Sequence, residues 1–234
     1  MKQLTDFFQD KKVKTILDVG TGPGNFIEVL NEVFPDTQIT GVDPKTESLG
    51  EAKEKYPEVI FKEMGAEKLE FSDFSFDVVS ISMALHHLPE VNKGLQEILR
   101  VVKPDGWIII NELFSDNLNP AQEVHKLYHH FGSSIDRILG VNHNPSFKKE
   151  EIFQMVQNSG IAIQFHFEHK KEVNLVADKY ELESRAEKMK LKLEKIKEYP
   201  EYKKLKPQVE IFRKNALEFG FQPATKVVIV GQRQ

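Results

Sequence analysis

The chain has 234 residues, of which 40% are hydrophobic and 29% are charged, a composition typical of a globular protein with one sizeable core. It contains no cysteine, which excludes disulfide bonds, thiol nucleophiles and thiolate metal sites. No apolar run reaches the length of about 18 residues that spans a membrane, and the first residues lack the apolar stretch of a signal peptide, so we expect a cytoplasmic protein. The net charge of −4 disfavours a nucleic-acid partner.

Strands and helices alternate along the first half of the chain, after a short leading helix predicted within residues 1–12. The predicted strands are Thr15–Val19, Gln38–Val42, Val59–Phe61, Phe76–Ser82 and Trp107–Ile110, and the predicted helices are Asn25–Phe34, Thr46–Lys55 and Val91–Val102. This alternation predicts an α/β fold with a doubly wound, mostly parallel sheet. In such sheets, ligands bind beyond the carboxyl ends of the strands.

The pattern changes after the fifth predicted strand. Further helices are predicted at Pro120–Phe131 and Lys148–Asn158, and further strands at Ile161–Phe167 and Thr225–Val230. Residues 177–219 hold two amphipathic helices separated by Pro200, whose apolar stripes predict either a cap hairpin or the seam of a homodimer. We therefore predict one domain, residues 1–234, with a helical cap. The predicted cap segments are residues 1–12, 114–147 and 170–224.

A glycine-rich turn follows the first predicted strand and opens a helix. Gly20, Gly22 and Gly24 permit positive φ angles and a close approach of a ligand to the backbone. Asp43 ends the second strand, where an acidic side chain can accept hydrogen bonds from both hydroxyls of a ribose. Turn and acid together indicate a nucleoside-cofactor site, although such a turn can also serve only to pack a helix on the sheet. The spacing is G-x-G-x-G, whereas a dinucleotide-binding turn needs G-x-G-x-x-G.

Five motifs in chain order resemble those of the class I S-adenosylmethionine-dependent methyltransferases of type 11. They are Ile16–Gly24 for the glycine turn, Gly41–Pro44 for the acidic strand end, Gly65–Phe71 for the adenine-contacting segment, Ser75–Val79 for the fourth strand and Leu99–Trp107 for the turn into the fifth. The resemblance covers about residues 15–112. It implies S-adenosylmethionine as the cofactor, and a seven-stranded sheet whose last strand is antiparallel.

The resemblance also implies which residues bind this cofactor. They are Asp18, Gly20, Thr21, Gly22, Gly24, Asp43, Pro44, Gly65, Ala66, Glu67, Met83, Ala84 and Leu85. By this resemblance the glycine turn lies against the methionine part, Asp43 holds the ribose, and residues 83–85 line the other side of the cofactor. Many relatives carry an aspartate where this chain has Gly65, and that aspartate bonds the adenine amine. Either Glu67 or backbone groups are expected to take over that task, or the adenine is held less tightly.

Three residues at the ends of the fourth and fifth strands are candidates for catalysis. His86 and His87 follow the fourth strand, beside the position that the resemblance gives to the transferred methyl group. Histidine titrates near neutral pH, so one of them could act as a base or contact the substrate, and the alternative is that they only pack the loop. Glu112 ends the fifth strand, where it is either a substrate contact or a solvated strand end.

The remaining histidines are possible metal ligands. His125 and His129 are four residues apart on a predicted helix and could chelate a metal ion, with His130 and His143 nearby in sequence. No clear carboxylate completes a conventional ligand set, so the sequence predicts a polar surface and no metal site.

The predicted function is S-adenosylmethionine-dependent methyl transfer to a small-molecule acceptor bound under the helical cap. A large cap disfavours nucleic acid or protein as the acceptor, because these need an open site. Three alternatives remain: a tRNA-modifying methyltransferase, an NAD-dependent oxidoreductase, and a catalytically silent module that keeps the cofactor pocket. Oxygen, nitrogen, sulfur and carbon acceptors are all compatible with the motifs.

Overall fold

The computed structural model describes residues 1–173, 175 and 178–234, which form two units. The first unit comprises Met1–Glu112, Glu150–His169 and Val227–Gln234, and the second comprises Leu113–Lys149 and Lys170–Lys226. The second unit matches two of the predicted cap segments, residues 114–147 and 170–224, to within a few residues. Residues 174, 176 and 177 of the last segment lie outside the described residues. The single domain and the closing of a cap over an acceptor stay predictions.

A seven-stranded sheet forms the first unit, with the strand order β3-β2-β1-β4-β5-β7-β6. Its strands are β1 (Thr15–Val19), β2 (Gln38–Asp43), β3 (Ile60–Glu63), β4 (Phe76–Ser82), β5 (Val102–Leu113), β6 (Ile161–His169) and β7 (Lys226–Arg233). Strands β1 to β5 pair in parallel. The end of β7 lies beside the start of β6, where the Gln234 backbone N–H donates to the Gly160 carbonyl at 3.0 Å. The predicted α/β class and mostly parallel sheet are confirmed.

The helices follow the predicted alternation. They are α1 (Lys2–Phe8), α2 (Ile27–Val33), α3 (Thr46–Lys55), α4 (Val91–Val101), α5 (Pro120–Ile138), α6 (Lys149–Asn158), α7 (Lys179–Glu194) and α8 (Glu201–Phe219). Helix α5 runs seven residues beyond the predicted end, through Gly132, and Gly140, with a φ of 78°, follows its end. Among the described residues, no helix combines the length and apolarity needed to cross a bilayer.

Helix α1 belongs to the first unit, which corrects the prediction that residues 1–12 are part of the cap. Leu4 and Phe8 are buried in the main hydrophobic core of that unit. The Phe8 ring lies 4.7 Å from the Phe34 ring, and the Phe7 ring lies 5.1 Å from Trp107. Trp107 therefore packs against the core.

Strand β5 begins earlier than expected. Residues 104–106 were predicted as a turn before a strand that starts at Trp107. In the structure, β5 pairs Val102 with Phe76 and then Trp107 with Val78, so the extra residues form a bulge against β4. Pro104 lacks a backbone N–H and is tolerated at such a bulge because the ladder is already interrupted there.

Helices α5, α7 and α8 form the core of the second unit. The apolar stripes predicted for α7 and α8 are buried in one cluster, which contains Leu182, Ala186, Met189, Leu193, Leu205, Val209, Phe212, Ala216 and, from α5, Phe131. The stripes therefore pair within the chain, as a cap hairpin requires. The homodimer predicted through residues 177–219 loses the observation on which it rested.

Replacing Phe212 should destabilise the second unit. The Phe212 side chain is fully buried, so Phe212→Ala should lower the free energy of unfolding by about 3–5 kcal/mol through lost burial and a residual cavity. The neighbouring Ile211 on α8 is 47% exposed, and Ile211→Ala should cost less than about 1 kcal/mol. Urea unfolding followed by circular dichroism measures both variants, and equal losses would contradict this packing.

Candidate cofactor-binding and active site

The glycine turn Gly20–Gly24 lies between the end of β1 and the start of α2. Its glycines have positive φ angles, of 68° at Gly20, 53° at Gly22 and 80° at Gly24. A Cβ atom at Gly20 would lie 2.6 Å from that of Ala84, so this position has no room for a side chain. A Cβ atom at Gly22 would meet no atom within 4 Å. The turn therefore presents open backbone that a ligand can approach.

The Asp43 carboxylate holds the glycine turn in place. Its Oδ2 accepts a hydrogen bond from the Gly22 backbone N–H at 2.9 Å, and its Oδ1 accepts one from the Lys45 backbone N–H at 2.9 Å. This positioning role was not predicted from the sequence. Pro44, which follows Asp43 in the chain, is exposed. Each carboxylate oxygen has a second lone pair, so the predicted ribose contact is compatible with these bonds and stays a prediction.

Asp18 is a buried carboxyl group beneath the turn. Its Oδ1 accepts a hydrogen bond from the Ser80 hydroxyl on β4 at 2.7 Å. Burial raises the pKa of Asp18 to about 6, the hydroxyls of Ser80 and Thr21 lower it in part, and the nearby charge of Asp43 raises it slightly. Asp18 Oδ2 and Thr21 Oγ1 are buried, and neither makes a well-formed hydrogen bond with a described residue. Polar atoms in this state suit a site that a polar ligand or water completes.

The segment predicted to contact adenine follows β3. Ala66 is buried, and a Cβ atom at Gly65 would lie 3.3 Å from Glu67 Oε2. The Glu67 carboxylate therefore reaches back to the position where relatives carry aspartate. Its Oε1 is buried and has no hydrogen-bond partner among the described residues. This geometry supports the expectation that Glu67 takes over the adenine contact, which remains a prediction.

Residues 83–85 follow the end of β4, the strand next to β1, and so lie beside the turn. Met83 has a φ of 55°, a conformation that is uncommon for a residue with a side chain and that clusters at functional sites. Its backbone N–H donates to the Asn111 carbonyl at 2.7 Å. Ala84 and Leu85 are both buried, and Ala84 is the residue that faces Gly20.

Asn111 is a site residue that the sequence analysis missed. It is buried near the end of β5, and its side-chain amide donates to the Ser82 hydroxyl at 2.9 Å. Its Oδ1 is buried without a partner among the described residues. Asn111 lies inside an apolar strand pattern, but its position opposite the last residue of β4 could have suggested a role at the sheet edge.

His86 and Glu112 form a buried pair. The His86 Nδ1 atom lies 2.9 Å from Glu112 Oε1, and the side chains are 3% and 1% exposed. Glu112 is therefore not a solvated strand end, which was one of the two interpretations open for it. His87 is exposed, and its ring lies 4.3 Å from that of His86. The structure thus joins two of the three catalytic candidates by a short contact between their side chains, and places the third beside them in an exposed position.

The polar groups of this site meet because of the strand order. Strands β1, β2, β4 and β5 are neighbours and run in parallel, so their carboxyl ends share one edge of the sheet. That edge carries the glycine turn, Asp43, the segment after β4 and Glu112.

Comparison with known proteins shows which family this part of the chain resembles. Residues 17–110 match the family model described as "Methyltransferase domain".

This part of the chain is therefore similar to a methyltransferase domain. This match confirms the resemblance to class I methyltransferases that the motifs indicated. Among curated proteins, the demethylmenaquinone methyltransferase of Chlorobaculum parvum is 35% identical over 132 residues, which cover 56% of this chain and 54% of that protein. The chain thus spans about half the length of the curated relatives it matches. For this family the cofactor is S-adenosylmethionine, and the open turn and the buried Glu67 oxygen fit such a group.

Solved structures share the fold over nearly the whole chain. The YcgJ protein of Bacillus subtilis has a TM-score of 0.61 at 19% identity, covering 100% of this chain and 99% of that one. The cyclase SpnF has a TM-score of 0.62 at 16% identity, covering 99% of this chain and 80% of that one. At these identities the similarity shows the fold alone, and one of the two names denotes a cyclase. The fold therefore does not by itself fix the reaction.

Asp18 should make the folded protein more stable as the pH falls, the opposite of the usual effect of a carboxyl group. Its pKa is about 6 in the folded protein and 3.8 when unperturbed, so the folded state binds the proton more tightly. Stability from this group is therefore gained as the pH falls from above 6 to about 4, by about 3 kcal/mol at 1.36 kcal/mol per pKa unit. Asp18→Asn removes this titration.

The test is urea unfolding of both proteins at several pH values. The free energy of unfolding of Asp18→Asn minus that of the wild type should be about 2–3 kcal/mol larger at pH 7 than at pH 4. Asp105→Asn, a change at an exposed carboxylate on β5, is the matched control and should give a nearly constant difference. A constant difference for Asp18→Asn as well would contradict the raised pKa.

Proposed function

We propose that this protein transfers the methyl group of S-adenosylmethionine to a small-molecule acceptor. The observation that carries the proposal is the glycine turn held by Asp43 inside a segment that matches the methyltransferase domain. The G-x-G-x-G spacing of this turn disfavours an NAD-dependent oxidoreductase. The tRNA-modifying enzyme and the silent cofactor-binding module remain as alternative outcomes of the experiments below. The cytoplasmic location stays a prediction.

The residues around the turn would hold the cofactor. The Gly20–Gly24 backbone would lie against the methionine part, Asp43 would accept hydrogen bonds from the ribose, and Ala66 and Glu67 would contact the adenine. S-adenosylmethionine supplies a methyl group already activated on a sulfonium, so the work left to the protein is to position the acceptor and exclude water. Residues 83–85, with the strained Met83, would form the wall on the other side.

His86 would accept the proton that the acceptor atom loses as its bond to the methyl carbon forms. Glu112 is placed to accept the Nδ1–H of His86 at 2.9 Å, which fixes the tautomer and leaves Nε2 as the basic atom. The Glu112 carboxylate would then stabilise the imidazolium cation that forms. This arrangement suits an acceptor that carries an acidic O–H or N–H group. A thioether or tertiary amine, which loses no proton, would not need it.

An aromatic hydroxyl compound fits this chemistry best. The named relative is a demethylmenaquinone methyltransferase, and a reduced quinone carries hydroxyl groups of this kind. Because other curated relatives are named C-methyltransferases, the hydroxyl group would lose the proton, and either its oxygen or a ring carbon would take the methyl group. The alignment with that relative covers only about half of each protein, so the acceptor class rests mainly on the His86–Glu112 pair. The second unit, with its helical core of α5, α7 and α8, would act as the cap that selects the acceptor.

Cofactor binding is tested by isothermal titration with S-adenosylmethionine and S-adenosylhomocysteine. Asp43→Ala should weaken binding at least about tenfold, because it removes the acceptor that fixes the Gly22 N–H as well as the proposed ribose contact. Asp10→Ala, at an exposed position after α1, should leave binding unchanged. No binding at millimolar cofactor, or tighter binding of NAD, would reject the proposal.

Catalysis is tested by transfer of a labelled methyl group to a panel of phenols, reduced quinones and unmodified tRNA. His86→Ala should lower kcat by about 10²–10⁴ with little change in cofactor affinity, as expected for loss of a general base. Glu112→Gln should lower kcat at least about tenfold, because the amide no longer stabilises the imidazolium. Added imidazole should restore part of the activity of His86→Ala and none of that of Glu112→Gln.

The controls are two other histidines. His166→Ala changes an exposed residue on β6 and should retain full activity, and His87→Ala should have a much smaller effect than His86→Ala. Equal losses for His86 and His87 would remove the assignment of the base to the buried pair. Transfer to tRNA alone would favour the tRNA-modifying alternative, and cofactor binding without transfer to any acceptor would favour the silent module.

A further inference from the structure

A row of four side chains in the second unit ends in two facing imidazoles. Lys192 Nζ lies 2.8 Å from each carboxylate oxygen of Asp136, and Asp136 Oδ2 lies 2.7 Å from His143 Nδ1. The Nε2 atom of His143 lies 3.2 Å from the Nε2 atom of His129. These groups come from α5, from the loop after it and from α7, so the cluster ties together three segments of this unit.

Local structure holds this row in place. His129 and Asp136 lie two turns apart on α5 and therefore share a face of the helix. The helix ends at Gly140, and the Val141 backbone N–H donates to the Asp136 carbonyl at 2.8 Å, which turns the chain back. The Arg137 guanidinium then donates to the His143 carbonyl at 2.6 Å. The loop thus returns His143 to the helix that carries its partners.

The carboxylate of Asp136 sets the tautomer of His143. Because this oxygen accepts a hydrogen bond, Nδ1 of His143 must carry the hydrogen, and in the neutral ring the lone pair is then on Nε2. That lone pair faces His129. A histidine whose Nδ1–H is bound to a carboxylate while Nε2 points to a second imidazole has the arrangement found around metal-bound histidines.

We propose that His129 and His143 bind a divalent transition-metal ion of the Zn²⁺ class through their Nε2 atoms. At a metal–nitrogen distance of about 2.0 Å, two ligands of a tetrahedral ion are separated by about 3.3 Å. The observed 3.2 Å matches that separation. Asp136 acts as the partner that orients His143 and raises its basicity, and Lys192 orients Asp136. The sequence analysis did not single out Asp136, because its carboxylate would bind the ligand His143 and would not bind the metal ion itself.

The proposed ligand pair, His129 and His143, differs from the pair His125 and His129 that the helical spacing suggested. His125 was considered as the partner of His129, but its Nδ1 accepts a hydrogen bond from the Ala224 backbone N–H at 3.3 Å, and burial lowers its pKa to about 4. His130 bonds the Ser146 hydroxyl at 2.8 Å through Nε2. The loop after α5 therefore supplies the second ligand, which helical spacing alone does not reveal.

The competing interpretation is a hydrogen bond between two neutral histidines, with no metal. Zinc titration of the full-length, chelator-treated protein separates the two, and it does not depend on the proposed methyl transfer. The proposal expects one Zn²⁺ bound per chain with micromolar or tighter affinity. His129→Ala and His143→Ala should each weaken binding by more than about a hundredfold, and Asp136→Asn by about 10–100-fold.

His166→Ala and Asp6→Asn, which change exposed residues of the first unit, are the matched controls and should bind Zn²⁺ like the wild type. Cobalt substitution gives a second readout, since a tetrahedral site with nitrogen ligands shows a visible absorption band that both alanine variants should lose. Thermal unfolding without metal establishes that each variant is folded. Zinc affinity that is weaker than millimolar, or that stays within twofold in the folded His129 and His143 variants, would overturn the proposal in favour of the histidine hydrogen bond.

Discussion

The reversal of strand order beside β1 is the constraint on which the candidate site depends. Strand β1 has β2 on one side and β4 on the other. Because the connections from these strands run in opposite directions, a crevice that the crossover helices do not fill opens at the carboxyl end of β1. The glycine turn occupies this crevice, and Asp43 at the end of β2 ties it down through the Gly22 N–H. The neighbouring strand ends then place Ser82 beside Asn111, and His86 within reach of Glu112.

The same sheet edge concentrates buried polar groups. Asp18, Asn111 and Glu112 are each about 1% exposed, and each follows a run of apolar residues in its strand. Burying such groups costs free energy unless hydrogen bonds compensate, and the pKa of Asp18, raised to about 6, reflects that cost. An apolar residue at each position would pack the sheet at a lower cost. These three polar residues lie at one edge of the sheet, next to the strained Met83. Buried polar groups and backbone strain that lower stability are typical of functional sites.

The elements of the first unit could be predicted because local signals agree there. Thr15–Val19, Thr46–Lys55 and Phe76–Ser82 were each placed correctly, since apolar periodicity and turn residues mark the same boundaries. The bulge in β5 was missed because it depends on pairing with β4. The His86–Glu112 and His143–Asp136 pairs were missed for a related reason. Both join residues whose proximity follows from tertiary structure and not from their spacing.

The division of the chain also separates the part that matches the family model from the part that lies outside it. The family match ends at residue 110, close to the end of the first unit's continuous stretch at Glu112. The second unit has its own core, in which α5, α7 and α8 bury Phe131 and Phe212. A unit that folds around its own side chains can change its surface without disturbing the sheet. If this unit selects the acceptor, as we propose, that selection can vary between relatives while the cofactor turn keeps its geometry.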